Sequence, residues 1–152
     1  MDGDKMLPKT FRFIAVNNTG VEMRRNNVDT LAVDYIAWKF NANGALVYST
    51  EVTGALDSFN GGDRLSDGSA SDAGADQDNS SNLNLGLHGV FSTIHTSGTA
   101  DGSIDLYYEL ATDGGTDWPS NQPDVDVDTD FTHLASIQYS SASGQRSTNF
   151  LI

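Results

Sequence analysis

Apolar and polar residues alternate with period two along much of the chain, the spacing of a strand with one buried face. The strongest case is 103–110, where Ile104, Leu106, Tyr108 and Leu110 alternate with Ser103, Asp105, Tyr107 and Glu109. Phe11 to Val16 alternates at first and then turns apolar, as a half-buried strand does. Between Leu31 and Phe40 one parity holds Ala32, Asp34, Ile36, Trp38 and Phe40, and the other Leu31, Val33, Tyr35, Ala37 and Lys39. Both parities are largely apolar, which predicts a central strand. Asn41-Ala-Asn-Gly44 follows, and its tolerance of positive φ predicts a turn with 45–52 as the return strand.

Further on, Leu83, Leu85 and Leu87 share one face against Asn84, Gly86 and His88, and Val90, Ser92, Ile94 and Thr96 continue the strand after a bend near Gly89. Residues 96–102 form a turn-rich connection. Strands are also expected over 131–139 and 147–152, with Ser140-Ser-Ala-Ser-Gly144 turning between them. No segment carries a helical stripe, and no fixed repeat recurs. About eight short strands separated by turn signals predict an all-β fold, an antiparallel β-sandwich or jelly roll.

Residues 57–82 break the alternation. They hold seven charged residues, six of them acidic, and two large apolar side chains. Such a stretch cannot bury enough surface by itself to offset its ordering entropy. It reads as a long acidic surface excursion from one domain, because the strands on either side are too few to close a core alone. The expected organisation is an N-terminal arm over 1–10 and a single sandwich domain over 11–152.

Composition sharpens this picture. Of 21 acidic residues among 152, eighteen are Asp and three Glu, while Lys occurs three times. Asp favours turns and caps where Glu and Lys favour helices, so the bias agrees with strands and turns. The net charge of −13 argues against nucleic acid and against an anionic membrane surface, both of which call for clustered Lys and Arg. No apolar run is long enough for a spanning helix. The start, Met1-Asp-Gly-Asp-Lys5, lacks the regions of a secretory signal, so no leader is expected. With no Cys, disulfides and thiolate chemistry are excluded. The charge is also unevenly placed. Residues 1–25 hold five basic side chains (Lys5, Lys9, Arg12, Arg24, Arg25) against three acids, a net +2, and the remainder carries −15. These five are the candidate partner-binding residues.

Asp124, Asp126, Asp128 and Asp130 would line one face of a strand. Counting from Asp124, Thr129 and Ala135 stand where a helix-loop-helix calcium loop needs Gly and Glu, so the row reads first as a solvated edge. A site for a partner's basic group ranks second and a metal third. Residues 111–118, Ala-Thr-Asp-Gly-Gly-Thr-Asp-Trp, resemble the Asp-box turn of sialidases and other propellers, with Asp113, Gly115 and Trp118 at matching positions. That likeness implies a braced hairpin and no catalysis. His88, His95 and His133 lack helical metal-ligand spacing and read as surface or interface residues. No nucleophile elbow, phosphate loop or dinucleotide fingerprint occurs. No enzymatic activity, cofactor or metal is therefore expected.

The run from Gly102 to Ser120 resembles a strand and hairpin of small virion proteins of tailed bacteriophages, which are similar in length, Cys-free and often close on a strand like 147–152. The resemblance covers about the last third of the chain. It implies a non-enzymatic virion protein, foremost a capsid decoration or cement subunit. Such a subunit would bind the major capsid or other virion proteins and neighbouring copies as a homo-oligomer. A tail, neck or fibre component is the nearest rival. A carbohydrate-binding module, using Trp38, Trp118 and the tyrosines, is the alternative from another class.

Overall fold

The structure, a computed structural model, describes residues 7–56, 59, 63–111, 118 and 131–152. Among these the chain forms twelve strands: β1 (Thr10–Asn18), β2 (Met23–Arg24), β3 (Thr30–Phe40), β4 (Leu46–Tyr48), β5 (Val52–Leu56), β6 (Arg64–Leu65), β7 (Ser69–Ala70), β8 (Gln77–Asp78), β9 (Gly86–His95), β10 (Asp101–Leu110), β11 (Thr132–Ser140) and β12 (Gly144–Leu151). One sheet runs β11-β10-β1-β7, with β8 also on β1. The other runs β12-β9-β3-β4, with β5 also on β3, and β2 pairs with β6 alone. Every pairing is antiparallel. The fold is an all-β sandwich, as the alternation predicts.

The sheets meet over a core that includes Phe11, Phe13 and Ala15 of β1, Leu31, Val33 and Tyr35 of β3, Leu87 and Phe91 of β9, Ile104 and Leu106 of β10, and Phe150 of β12. Phe13 sits at its centre, its ring 5.6 Å from Phe11, 5.9 Å from Tyr35 and 5.8 Å from Phe150. Edge-on and tilted aromatic contacts of this kind add about 0.5–1.5 kcal/mol each beyond the area they bury.

The two sheets differ on their outer faces. On β1 and β10 the outward Ile14, Val16 and Tyr107 are buried as well, with Phe131, against Ala70 and Ala73. β1 is therefore the strand covered on both sides. β3, expected to be central, is central in its own sheet, where it buries Leu31, Val33, Tyr35 and Ala37 and leaves Ile36 and Phe40 exposed. Apolar residues of both parities mark two covered faces only when something covers the second.

The turn at 41–44 is present, with Gly44 at φ 76° and its N–H donating to the Asn41 carbonyl. The return strand is split. Ser49 donates its N–H to the Ala37 carbonyl and accepts the Ala37 N–H on its side chain, which separates β4 from β5. The leucine face at 83–87 is also corrected. Leu83 lies at φ 49° and is exposed, and β9 starts at Gly86 without a break in pairing at Gly89. Its inward residues are Leu87, Gly89, Phe91, Thr93 and His95, so Val90 and Ile94 point outward. Gly89 is required there. A Cβ would stand 2.2 Å from the Phe150 ring, which rests on the bare backbone.

The described part of the acidic segment stays at the rim of the sandwich but is tied to it. Gly68, Ser71, Gly74 and Asn79 donate their N–H groups to the carbonyls of Asn17, Ala15, Phe13 and Lys9 in turn. The segment thus satisfies the open edge of β1 with backbone, which needs no apolar periodicity. Residues 7–10 of the expected arm are likewise anchored, with the Leu7 N–H on the Leu85 carbonyl. Residues 1–6 lie outside the described residues.

Candidate interaction surface

Among the described residues nothing packs over the outer face of the β12-β9-β3-β4 sheet, and most of its large apolar residues are exposed. Strand register sets Leu151, His88 and Ile36 in one row, Trp38 beside Tyr48 in the next, and Phe40 beside Leu46 beyond. Ile36, Phe40, Leu46, Tyr48, Val90 and Leu151 are 36–63% exposed. The Trp38 indole lies flat over Gly86, where a Cβ would come within 2.6 Å of the ring, and meets Phe40 edge-on at 6.1 Å. Its Nε1–H is shielded from solvent and has no acceptor among the described residues. A donor left so is costly, by about 1–3 kcal/mol. A shallow depression of about 410 Å³ crosses the face, with Ile36, Gly89 and Val90 on its floor and Asp34, Glu51 and His88 around it. The face is largely apolar, with Asp34 and Glu51 at its rim and His88 between Leu151 and Ile36.

The candidate basic residues do not converge. Arg12 is largely buried. Its Nε donates to the fully buried Glu109, its guanidinium lies 4.1 Å from the Trp118 ring centre, and Asp76 is 3.7 Å away. Arg12 is therefore engaged inside the molecule. Arg24 pairs with Glu22, and Arg25 lies over the Phe59 ring at 5.4 Å. Lys9 is exposed where β1 begins, whereas β2 and its Arg24 lie near the other end of β1, roughly 27 Å away for nine strand residues. Lys5 falls outside the described residues, so the described four form no single patch.

Trp118 is buried beneath Arg12. Asp113 and Gly115, the other hairpin-bracing positions, and the row Asp124, Asp126, Asp128 and Asp130 lie outside the described residues. The histidines part ways. His88 is exposed on the bare face. His95, expected at the surface, is fully buried: Nδ1 accepts the Ser97 N–H at 3.2 Å, Nε2 stands 3.3 Å from the Thr19 hydroxyl, and the ring meets Tyr139 edge-on. Continuing the parity of Leu87 through Phe91 would have placed it in the core.

His133 stands near Ser136 and Asp105. Asp105 accepts from Asn18, Ser103 and Ser136, and His133 Nε2 is 2.9 Å from the Ser136 hydroxyl and 3.9 Å from Asp105. A catalytic relay sets the carboxylate on the imidazole nitrogen remote from the serine. Here both crowd Nε2, and the serine proton is already held by Asp105. The group clamps β1, β10 and β11 together. Among the described residues no group of three or more His, Asp or Glu side chains could hold a metal ion. No described helix is long and apolar enough to cross a membrane.

No family model and no curated protein matches the chain. Among solved structures it is similar to a DUF4425 family protein from Bacteroides ovatus ATCC 8483, at 10% identity over 96% of this chain and 95% of that one, with a TM-score of 0.30. A likeness at that level adds nothing about function.

Proposed function

We propose that the chain is a non-enzymatic structural subunit that docks through the bare outer face of the β12-β9-β3-β4 sheet onto a larger protein assembly. In the reading the sequence resemblance favours, that assembly is a bacteriophage capsid and the subunit a decoration or cement protein. The observation behind the reading is the set of exposed apolar residues Leu151, Ile36, Tyr48, Phe40 and Leu46, with the half-buried Trp38 among them, on one sheet, while the outer face of β1 and β10 on the other is covered. The partner surface has an apolar centre to meet Ile36 and Leu151 and basic groups to meet Asp34 and Glu51. Many copies on a lattice would add avidity without a tight single contact.

Purified chain mixed with capsids and sedimented tests this. Wild type should co-sediment at hundreds of copies per particle, and Ile36→Asp with Leu151→Asp should stay in solution while remaining folded. Six or twelve copies would assign it to the tail or neck instead. Unchanged sedimentation of the double variant would remove this face from the contact.

The aromatic trio Trp38, Phe40 and Tyr48 on the same face favours a second reading, sugar stacking by a carbohydrate-binding module. Binding on a glycan array that disappears with Tyr48→Ala and Phe40→Ala would support it over the lattice reading.

A further inference from the structure

The side of the sandwich opposite the acidic segment ends on β11 and β12, and among the described residues no further strand pairs with either there. Leu87 and Ile152 exchange both backbone hydrogen bonds across the β9–β12 ladder. Alternation then sets Phe150, Thr148, Arg146 and Gly144 as the bonded partners of β9. The N–H and C=O groups of Gln145, Ser147, Asn149 and Leu151 consequently point off the sheet. β12 carries none of the devices that protect an edge, such as Pro, Lys or an acidic side chain.

Beside this edge a slit of about 380 Å³ runs between the two strands, lined by Ser136, Ile137, Gln138, Arg146, Ser147 and Thr148. Arg146 lies across it with its guanidinium 4.8 Å from the Tyr139 ring centre. Its Nε is shielded from water and has no acceptor, and the residue makes no ion pair among the described residues. A half-buried cation without a carboxylate among the described residues is conspicuous in so acidic a chain.

We propose that the free edge of β12 takes an extended acidic segment of a partner protein by strand addition, with a carboxylate of that segment on Arg146. The backbone of an added strand satisfies the four outward residues. The added residue opposite Arg146 projects to the same side of the sheet, about 4.5–5.5 Å away between Cβ atoms, within reach of the guanidinium. A second copy paired β12 to β12 fits worse. The strand reads Gly-Gln-Arg-Ser-Thr-Asn-Phe-Leu, so it would bring a second arginine and no carboxylate. This inference uses a different surface from the bare face and stands apart from the lattice reading.

The test is titration of the full chain with acetyl-Thr-Val-Asp-Val-Asp-Val-Thr-amide and with its Asn-for-Asp counterpart, followed by backbone amide NMR. The Asp peptide should shift and protect the amides of Gln145, Ser147, Asn149 and Leu151. The Asn peptide should bind about tenfold more weakly, the loss of one charge-assisted contact. Arg146→Gln should bring the Asp peptide down to the level of the Asn peptide. Ser147→Pro removes an outward N–H without touching the ladder to β9 and should abolish binding of both. Should that variant not fold, amide protection together with Arg146→Gln decides the matter. Absence of shifts at β12 up to millimolar peptide, shifts indifferent to Arg146→Gln, or a concentration-dependent dimer through β12 in the chain alone would each overturn the proposal.

Discussion

Arg12 on β1 and Glu109 on β10 face each other in register across the ladder, joined through Nε, with the Glu109 carboxylate fully buried. The contact sits on the covered face of the sandwich, closed over by Trp118. Removing one member of a buried pair strands the other charge, at a cost of about 3–5 kcal/mol. Arg12→Leu or Glu109→Leu should therefore lower stability by about that much in urea unfolding, whereas the joint Arg12→Leu and Glu109→Leu change should cost clearly less than the sum. Strict additivity would mean the pair is not coupled.

Trp118 rests its ring against that guanidinium, so its loss should be felt at the same site. Trp118→Ala is expected to destabilise by about 3–5 kcal/mol as a buried aromatic truncation. Combined with Arg12→Leu it should be less than additive. Full additivity in thermal or urea unfolding would separate the two residues.

Tyr35 donates its hydroxyl to Gln77 at 2.7 Å, and burial pushes its phenol up to about 12 from an ordinary 10.0. The native state thus holds its proton where the unfolded chain has lost it. The contribution is fully present below pH 10 and is lost as pH rises from there through about 12. Ultraviolet titration of tyrosinate should show a late-ionising phenol that is missing in Tyr35→Phe. Ionisation of all five tyrosines together near pH 10 would contradict it.

Gly89 carries the Phe150 ring on its backbone, and Phe150 is itself held by Phe13. Gly89→Ala should cost about 1–3 kcal/mol through overpacking. In a Phe150→Leu background the same change should cost less, because the ring that clashes is gone. An equal cost in both backgrounds would place the strain elsewhere.

Phe40 and Leu46 are paired and exposed at the end of the bare face. Phe40→Ser with Leu46→Ser should leave unfolding within about 0.5 kcal/mol per site, as surface changes do, while lowering retention on a hydrophobic column. A large loss of stability would mean that these side chains hold the fold.

The chain's local chemistry determined the strand-forming segments and the turn at 41–44. Alternation in Ile104, Leu106 and Tyr108, and the Asn and Gly residues after Phe40, act within a few residues of themselves and are legible without partners. What covers each face is a property of other segments. Ile14 and Tyr107 are buried because Ala70, Ala73 and Phe131 lie over them, while Ile36, no less apolar, is left bare. The acidic 64–79 stretch closes the β1 edge through backbone N–H groups, which no side-chain pattern encodes, and the pairing of Arg12 with Glu109 joins residues 97 apart. Side-chain periodicity specified which segments extend. Only tertiary contact decided which faces are buried, which charges are paired, and which sheet face and strand edge stay exposed.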